Sequence, residues 1–585
     1  MATKLREREV VIVGGGLSAG LIARRLVPLG RDVLVLERGG HHDGAESQLP
    51  GQRDDLRWSV QRGLTQRENV ETYTLRHKVG EESLPMRQLV SFLPGFGVGG
   101  GAAHWNGQTW RFQTTDYMLK THLEQRYGKA AIDSELSLQD WGLRYEDLEP
   151  YYTTFEKLFA VSGRAGNVKG VKQEGGNPFE PWRSEDFALP PLEPSEAGLI
   201  FQQAAQSLGY KPFPMPAANA SRAWTNPDGM KLGACQYCGH CERFVCEANA
   251  KASPHRLLFP LVQGKPNFEL KTHAEVLRLV YDAAAKRVTG VVYLDTNTGE
   301  EFEQPASTVV LGSYVFSNTR LLLLSGIGTP YDPKTGTGVV GRNYCYQTTS
   351  GVSLFFEDRY INPFMGTGAY GMVIDEFNND HFDHGGLGFH GGGYISATIT
   401  NGRPIGTRSL PPGTPRWGSA WKAANAKWYL RAMGIGVHGS SYAARGNFMD
   451  LDPDYRDAYG RPLLRITFDF PANDLKMSQY CTGKAHEIAK ATGASIVSPP
   501  GPRTGPYDAR QYQSTHNTGG TIMGADRATS VVSPHLQCWD AGNLFITGAS
   551  VFPQNSGYNP TGPVGALGLR LADDLVRYLE RPRFL

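Results

Sequence analysis

Three elements in immediate succession near the N-terminus restrict the fold more than any other feature: an apolar strand, a glycine-rich turn and a helix. Residues 9–38 read EVVIVGGGLSAGLIARRLVPLGRDVLVLER. The run Val10–Val13 predicts a buried strand, the apolar spacing after it predicts a helix to about Leu29, and Val33–Leu36 predicts a second strand. A strand, a crossover helix and a second strand in this order form a βαβ unit with parallel strands. We therefore expect the chain to begin with a Rossmann-like α/β domain.

Small residues and an acid stand where such a unit would bind a dinucleotide. The turn carries the pattern Gly14-x-Gly16-x-x-Ala19, and Glu37 ends the second strand. Gly14 permits the tight turn, Gly16 lets a pyrophosphate approach the backbone, and the helix N-terminus offers N–H groups and a positive dipole. Glu37 can accept hydrogen bonds from both ribose hydroxyls of an adenosine. The motif predicts a dinucleotide site and does not by itself separate FAD from NAD.

Length and charge limit the number of domains and the class of partner. A chain of 585 residues exceeds the roughly 250–300 residues at which a single core divides, so two domains are expected. The formal charge of +2 argues against nucleic-acid binding. No apolar run reaches the ~18 residues of a membrane span, and no secretory signal precedes the first strand. We therefore expect a soluble chain.

The far end of the sequence narrows the choice of cofactor. Residues 536–579 read LQCWDAGNLFITGASVFPQNSGYNPTGPVGALGLRLADDLVRYL. This stretch predicts a strand, a Gly-Ala-Ser turn, a proline-rich loop and a helix from about Gly562. A chain that begins with a dinucleotide unit and returns at its C-terminus to cover the cofactor suits a flavoprotein. We therefore predict FAD, with Asp540 and Ala549 among the residues that bind it.

Four sequence blocks resemble those of the glucose–methanol–choline (GMC) oxidoreductases. They are GFGVGGGAAHWNG (residues 95–107), LLLLSGIG (321–328), HNTGGTIMG (516–524) and GYNPTGPVGAL (557–567). Upstream of the second block the chain departs from the family pattern, since Asn318 and Thr319 stand where a small residue and a proline are usual. The resemblance covers nearly the whole chain. It implies a mixed α/β and α+β fold, with a Rossmann-like FAD-binding domain and a β-sheet-based substrate domain.

The resemblance also implies a cofactor domain that is discontinuous in sequence. The expected order is a first FAD-binding segment (1–112), a helical and loop-rich connection (113–224), an iron–sulfur segment with a second FAD-binding segment (225–345), the substrate domain (346–505) and a third FAD-binding segment with the catalytic residues (506–585).

Four of the seven cysteines form the compact pattern Cys235-x2-Cys238-x2-Cys241-x4-Cys246. Structural zinc usually uses two separated Cys-x2-Cys knuckles, and disulfides between such near neighbours would be strained. Ferredoxins offer C-x2-C-x2-C runs to iron–sulfur clusters. We therefore favour an iron–sulfur cluster over zinc or no metal. Ordinary buried thiols are expected at the other three positions, Cys345, Cys481 and Cys538.

Within the family, the cysteine stretch and segments 91–111 and 140–152 resemble the flavoprotein subunits of membrane-bound dehydrogenases for sugar acids, sugars and polyols. These relatives imply a three-iron (3Fe-4S) cluster, which needs only three of the four cysteines. We interpret His240 as a surface residue near the cluster rather than a ligand. The relatives also imply two partners, a small chaperone-like subunit carrying the export signal and a multihaem cytochrome c. They imply a place on the periplasmic face of the bacterial inner membrane, which the chain would reach only through a partner.

Two residues are predicted to carry out the chemistry. Oxidation of an alcohol removes an O–H proton and a C–H hydride, so a base must lie within hydrogen-bond reach of the hydroxyl. His516 is the predicted base, because small residues around it in STHNTGG permit close approach to a ring. Asn559, in GYNPTG, matches the position of the family's second catalytic residue. Its amide can donate to the substrate oxygen as negative charge develops there.

The resemblance assigns the glycine-rich block at residues 95–107 to the flavin. Gly99, Gly100 and Asn106 are therefore expected to bind it. Some relatives carry FAD covalently on a histidine that is followed by tryptophan in this block. His104 precedes Trp105, so we predict covalent attachment there, with a packing or hydrogen-bonding role as the alternative.

Other histidines have weaker assignments. Residues 378–392 contain Asp380, His381, Asp383, His384 and His390. A metal site is one interpretation of this set; we favour a polar loop that leads into a glycine-rich strand of the substrate domain. His438 either faces a sugar pocket or belongs to the core.

The predicted function is FAD-dependent oxidation of a secondary alcohol of a sugar acid, sugar or polyol to a ketone. Electrons would leave through the iron–sulfur cluster to the cytochrome c partner and quinone. A one-electron relay suits a dehydrogenase better than an oxidase, because a haem accepts one electron at a time. The alternatives are a glucoside 3-dehydrogenase and a catalytically silent flavin or zinc scaffold subunit.

Overall fold

The computed structural model describes residues 2–42, 65–89, 91–239, 241–242, 244–363, 365–366, 371–398 and 409–585. In chain order, α1–α12 of these residues are Leu17–Leu26, Gly101–His104, Thr114–Tyr117, Leu119–Tyr127, Tyr145–Leu158, Glu196–Ser207, Pro254–Leu257, Phe259–Val262, Val315–Ser325, Gly418–Trp428, Ala472–Ala491 and Thr561–Glu580. The strands β1–β24 are Thr3–Lys4, Arg8–Val13, Val33–Leu36, Tyr73–Arg76, Leu84–Pro85, Asn167–Val168, Val171–Lys172, Phe213–Pro214, Trp224–Thr225, Lys231–Leu232, Phe268–Lys271, Ala274–Asp282, Arg287–Asp295, Glu301–Leu311, Cys345–Tyr346, Thr348–Phe355, Gly371–Ile374, Gly393–Thr398, Ala432–Gly439, Phe448–Arg456, Pro462–Thr467, Ile496–Val497, Asn517–Thr518 and Leu544–Ile546. Short 3₁₀ helices span Val27–Leu29, Lys129–Ala131 and Ala549–Val551.

The predicted βαβ unit lies at the centre of an eight-stranded sheet. The strand order is β11-β3-β2-β14-β13-β12, and β1 and β24 also pair with β14. β2 runs parallel to β3 and to the C-terminal half of β14, with Val10 opposite both Val33 and Thr308. β13 and β12 continue the sheet as antiparallel strands. Because Val10–Val13 is apolar throughout and buried, β2 has the composition of a strand covered on both faces.

A second, six-stranded sheet is antiparallel throughout, in the order β22-β16-β19-β18-β17-β8. Helices α6 and α11 pack against it. Ile200 of α6 and Ile488 of α11 share one buried apolar cluster with Val352 and Ile435 of the sheet. This sheet is the β-sheet-based layer that the family resemblance implies for the substrate side.

A separate two-stranded sheet lies next to the antiparallel sheet and close to the predicted base. β15 (Cys345–Tyr346) pairs antiparallel with β23 (Asn517–Thr518). The next residue, Gln347, donates its backbone N–H to the carbonyl of His516 at 3.4 Å. β16 of the antiparallel sheet begins one residue later, at Thr348. The backbone therefore holds the His516 segment at the edge of the second sheet.

The structure confirms the expected mixed α/β fold with a Rossmann-like domain and a β-sheet-based layer. The first helix ends earlier than predicted, at Leu26, because the chain tightens into a 3₁₀ turn over Val27–Leu29 that contains Pro28. Gly30 closes that turn with a left-handed φ of 81°. The domain limits stay predictions; β8 and α6, which pack with the antiparallel sheet, both precede residue 225.

The histidine-rich segment at residues 378–392 is irregular and leads into β18, as expected for the loop interpretation. Asp380 accepts hydrogen bonds from Tyr127 (2.6 Å), Arg126 (2.8 Å) and His384 (3.0 Å). Within the described ranges, no three His, Cys, Asp or Glu side chains are arranged to hold a metal ion. These acids and histidines therefore form a hydrogen-bonded network.

Among the helices of the described ranges, none is long and apolar enough to cross a membrane.

Candidate active site

A cavity of about 590 Å³ extends from the turn between β2 and α1 to the start of α12. Ten of the predicted site residues line it: Gly14, Gly16, Glu37, Gly99, Gly100, His104, Asn106, His516, Ala549 and Asn559. The sequence motifs are hundreds of residues apart, yet the fold brings the nucleotide motif and the catalytic pair into one cavity. Two of the residues predicted to bind FAD, Ala19 and Asp540, are not in the lining. Ala19 is buried inside α1, and Asp540 pairs with Arg527 at 2.6 Å.

The glycine-rich turn has the shape that a pyrophosphate requires. Gly14 has a φ of +95°, and a Cβ there would lie 2.8 Å from the carbonyl oxygen of Gly312. A Cβ on Gly16 would meet nothing within 4 Å, so this side of the turn is open to the cavity. A second glycine segment closes over it, with Gly99 N donating to Gly15 O at 2.7 Å. Backbone N–H groups at the start of α1 can then bind phosphate oxygens.

Glu37 sits where its carboxylate can meet a ribose. The carboxylate accepts backbone N–H groups from Gly15 (2.7 Å), Gly39 (2.8 Å) and Gly97 (3.1 Å). A carboxylate has about four acceptor sites, so roughly one stays available on the oxygen that Gly15 contacts. The three backbone bonds fix this orientation. The cradle of glycines and Glu37 fits the adenosine diphosphate half of FAD.

The flavin-covering block continues from this cradle toward the catalytic pair. His104 ends the short helix α2 and is 7% exposed. The indole N–H of Trp105 donates to Ala252 O at 2.9 Å, which holds the residue after His104 in place. Asn106 Oδ1 accepts the backbone N–H of Gln108 at 3.0 Å. His104 and Asn106 therefore line the cavity from a backbone that is fixed on both sides.

His516 and Asn559 meet directly at the far end of the cavity. Asn559 Nδ2 lies 3.1 Å from His516 Nε2 and 2.8 Å from Gln108 Oε1. The hydroxyl of Tyr394 donates to Asn559 Oδ1 at 2.9 Å. These contacts set the direction of the Asn559 amide, with its nitrogen toward His516. In this conformation the amide nitrogen is directed at His516 Nε2 itself, so the two groups become available for proton abstraction from an alcohol when the substrate hydroxyl takes the place of that contact.

Burial keeps the imidazole of His516 neutral. Burial and, to a smaller extent, the neighbouring His438 lower the pKa of His516 to about 3. His438 lines the same cavity, with its ring centre 6.0 Å from that of His516. Burial lowers the pKa of His438 to about 4. Of the two interpretations given for His438, its place in the lining supports the one in which it faces the pocket.

Three residues of the site have no counterpart among the residues predicted from sequence: Gln108, Gln347 and Tyr394. Gln108 follows the flavin-covering block by one residue, so its position in the sequence was a usable signal. Tyr394 stacks on His438, with ring centres 4.9 Å apart. Gln347 accepts a hydrogen bond from His516 Nδ1 through its Oε1. No local pattern marks these last two, because each reaches the site from a strand of the antiparallel sheet or its edge.

The four-cysteine loop lies against the flavin-covering block. Lys251 Nζ donates to the carbonyls of Trp105 and Cys241, each at 2.6 Å. Asn219 Nδ2 lies 3.2 Å from Asn106 O and 3.8 Å from Cys241 Sγ. Two buried polar side chains therefore connect the cysteine loop to the backbone beside His104.

Two sulfur atoms of the loop accept backbone hydrogen bonds. Cys235 Sγ accepts the backbone N–H of Tyr237, and Cys246 Sγ accepts that of Lys251, both at 3.5 Å. Burial and, to a smaller extent, the three other thiols of the loop raise the pKa of Cys235 to about 12. All seven cysteines belong to the described residues and none forms a disulfide. Because no metal-binding group occurs within the described ranges, the four sulfurs do not converge in this conformation. His240 lies outside the described residues.

Comparison with known proteins identifies the family of the chain. Family profiles described as GMC oxidoreductase match residues 198–349 and 443–568. The chain is 42% identical to a gluconate 2-dehydrogenase flavoprotein of Pantoea cypripedii, over 100% of this chain and 96% of that protein. It is 24% identical to a fructose dehydrogenase large subunit of Gluconobacter japonicus, over 99% of this chain and 100% of that protein. A crystal structure of pyridoxine 4-oxidase from Mesorbium loti has the same fold, with a TM-score of 0.60 and 16% identity over 98% of this chain and 99% of the other.

These findings confirm the family resemblance and the expected cofactor. The similarity to the gluconate 2-dehydrogenase flavoprotein extends over the whole chain, and the cavity has the nucleotide cradle that FAD needs. The enzyme is accordingly an FAD-dependent dehydrogenase that acts on CH–OH groups. The chain belongs to the GMC oxidoreductase family.

Proposed function

We propose that this chain oxidises a secondary alcohol of a sugar acid, sugar or polyol to the ketone. The observation that carries the proposal is the contact of His516 Nε2 with Asn559 Nδ2 in the cavity that also contains the FAD cradle. The similarity to a gluconate 2-dehydrogenase flavoprotein supports a sugar acid as substrate. When bound, FAD supplies the acceptor for the hydride.

The residues of the chain handle the proton and the charge on oxygen. His516 Nε2 would accept the hydroxyl proton, because burial keeps the ring unprotonated beforehand. The Asn559 amide would donate to the same oxygen as it becomes negative. An imidazolium beside an alkoxide has an opposite charge within hydrogen-bond reach, which raises its pKa again. The low pKa of His516 therefore does not prevent it from acting as the base.

A neutral sugar is a second candidate substrate, and the charges in the cavity favour it. The described lining contains three arginines, and each forms an ion pair: Arg38 with Glu71 (3.4 Å), Arg320 with Glu71 (2.9 Å) and Arg461 with Asp457 (2.8 Å). These pairs form one connected network that starts beside Glu37, at the nucleotide end. The described lining therefore offers no unpaired cation to a substrate carboxylate. A glucoside 3-dehydrogenase, which would oxidise a neutral sugar, stays the alternative.

We further propose that the cysteine loop holds an iron–sulfur cluster, with a 3Fe-4S cluster favoured by the family resemblance. Soft thiolates select such clusters, and the N–H groups directed at Cys235 and Cys246 are of the kind that tune them. Cluster loading would require at least three sulfurs to converge and their thiols to lose protons. A bound cluster would supply a one-electron relay beside the flavin.

Partners and location belong to the same proposal. One relative is itself described as a large subunit, which supports assembly with other chains. The resemblance supports a small chaperone-like subunit that carries an export signal and a multihaem cytochrome c that accepts electrons for quinone. The complex would work on the periplasmic face of the bacterial inner membrane, attached only through a partner.

A substrate panel with an artificial electron acceptor tests the proposed function. Gluconate, other sugar acids, neutral polyols and glucosides are compared with wild type, His516→Ala and the control His486→Ala, which changes a histidine of α11 outside the cavity lining. We expect one class of secondary alcohol to be oxidised, with flavin reduction slowed by about 10²–10⁴ in His516→Ala. Flavin content and the activity of His486→Ala should not change. Flavin reduction at the wild-type rate in His516→Ala would remove this residue from the role of base.

A further inference from the structure

The side chain of Gln347 connects the two segments that carry the catalytic pair. Gln347 is fully buried and directly follows β15, which pairs with β23 beside His516. Its amide nitrogen donates to the carbonyls of Ser556 (3.1 Å) and Tyr558 (3.2 Å), next to Asn559. Its amide oxygen accepts a hydrogen bond from the ring of His516.

The two carbonyls determine which way the amide of Gln347 points. The –NH₂ group has two donors, and Ser556 O and Tyr558 O accept both of them. The opposite orientation would place the amide oxygen against two carbonyl oxygens and leave all three acceptors without a donor. Gln347 Oε1 therefore faces His516, and it can only accept a hydrogen bond.

Because Gln347 Oε1 can only accept a hydrogen bond, its contact with Nδ1 determines which nitrogen of a neutral His516 ring carries the hydrogen. Nδ1 of His516 must carry the hydrogen, so Nε2 carries the lone pair. The second contact of the ring agrees, because Asn559 Nδ2 is a donor and lies 3.1 Å from Nε2. Both partners of the imidazole therefore favour the same tautomer.

We propose that Gln347 is a positioning residue that holds His516 in the Nδ1–H tautomer, with the unprotonated Nε2 facing Asn559 and the cavity. The proposal rests on the role of His516 as the base. In the other tautomer Nε2 would carry a hydrogen and could not accept the substrate proton. Gln347 does this as a neutral amide, so it orients the ring without adding a negative charge that would favour the imidazolium.

The described titratable side chains around His516 are neutral, so the proposal assigns control of the charge of the ring to Gln347. The titratable side chains near the pair are His438 of β19, Tyr394 of β18, Tyr346 of β15 and Tyr512 of the adjoining loop. Burial raises the pKa of each of these three tyrosines, so they stay neutral. Burial lowers the pKa of His438, which is neutral as well.

Two substitutions separate a positioning role from a structural one. Gln347→Leu keeps the side-chain volume but removes the acceptor, and it should slow flavin reduction by about 10- to 100-fold. Gln347→Glu replaces the amide oxygen by a carboxylate oxygen beside Nδ1–H. An opposite charge at this distance raises the pKa of the imidazolium by about 1–3 units. The acidic limb of the kcat/KM profile should therefore move to higher pH in Gln347→Glu, and activity at pH 5 should fall relative to wild type.

Gln537→Leu is the matched control, because Gln537 is also fully buried but bonds to Gly542 and Leu585, outside the cavity. It should change thermal stability without changing the pH profile. Wild-type flavin reduction in Gln347→Leu would overturn the proposal. An unchanged pH profile in flavin-loaded Gln347→Glu would overturn it as well, and Gln347 would then have only a structural role. If Gln347→Glu does not load flavin, the rate of Gln347→Leu decides alone. Full activity of His516→Ala would instead contradict the base itself.

Discussion

At the residue scale, His104 is the residue for which a covalent bond to the flavin is proposed. It ends α2, lines the cavity and is nearly buried, while its backbone neighbours are fixed by Ala252 and Gln108. A side chain held in this way could either form a covalent bond to the flavin or pack against it. The two roles differ in one property that is simple to measure, the release of flavin from denatured protein.

We predict that acid precipitation leaves the yellow colour with the wild-type protein, because a covalent bond at His104 survives unfolding. His104→Ala should release the flavin into the supernatant. His438→Ala is the matched control, since His438 also lines the cavity, and its flavin should stay with the pellet. Complete extraction of flavin from the wild type would contradict covalent attachment and leave the FAD site itself unaffected.

At the element scale, helix α11 carries a buried acid in its first turn. Asp474 accepts hydrogen bonds from Asn473 Nδ2 (3.2 Å) and from the backbone N–H of Tyr442 (3.5 Å). Among the described residues it has no ion pair. Burial raises the pKa of Asp474 to about 7 from an ordinary value of 3.8. Between these two pH values the folded protein holds a proton that the unfolded chain has released.

Linkage therefore predicts that this acid destabilises the fold as pH rises from about 4 to about 7, by up to about 1.4 kcal/mol per pH unit. Asp474→Asn removes the ionisation, so its melting temperature should rise relative to wild type between pH 5 and pH 8. Asp508→Asn is the control, because hydrogen bonds from Arg510 lower the pKa of Asp508 to about 2 and keep it charged over this range. If the melting temperatures of wild type and Asp474→Asn change with pH in parallel, Asp474 does not titrate as described.

Elements with a local sequence pattern could be predicted, whereas contacts that depend on the pairing of distant strands could not. β2, α1 and β3 follow from local periodicity and the glycine turn, and α12 begins at Thr561, one residue from its predicted start. His516 and Asn559 follow from motifs of the family. Gln347 could not be found in this way, because it lies 169 residues from His516 and its role depends on the pairing of β15 with β23. Pairings between such distant strands leave no pattern in the sequence of either strand.

At the scale of the whole molecule, the cysteine loop and the flavin cavity form one connected unit. Lys251 and Asn219 link the backbone beside His104 to Cys241. Burial lowers the pKa of Lys251 to about 8, and the thiols of Cys241, Cys246 and Cys238 act in the opposite direction. The position of the loop therefore suits a relay between the flavin and a partner.

If the loop holds a relay cluster, loss of a ligand should separate the two halves of the reaction. We predict that Cys238→Ser and Cys241→Ser still reduce FAD with substrate, because His516 and Asn559 are unchanged. Serine is a poor ligand for iron, since soft thiolates are what such clusters select. Iron and acid-labile sulfide should therefore fall, the paramagnetic signal of the cluster should vanish, and electron delivery to a cytochrome partner should collapse.

The control for this experiment is Cys538→Ser, which changes a buried cysteine outside the loop and should keep full iron content. Flavin content is measured first, because loss of a cluster can also loosen the surrounding fold. The decisive variant has full FAD and no cluster. If it passes electrons to the cytochrome as fast as wild type, a bound cluster serves only the structure. If the wild type itself contains neither iron nor labile sulfide, the four thiols serve another purpose and the electrons leave the flavin directly.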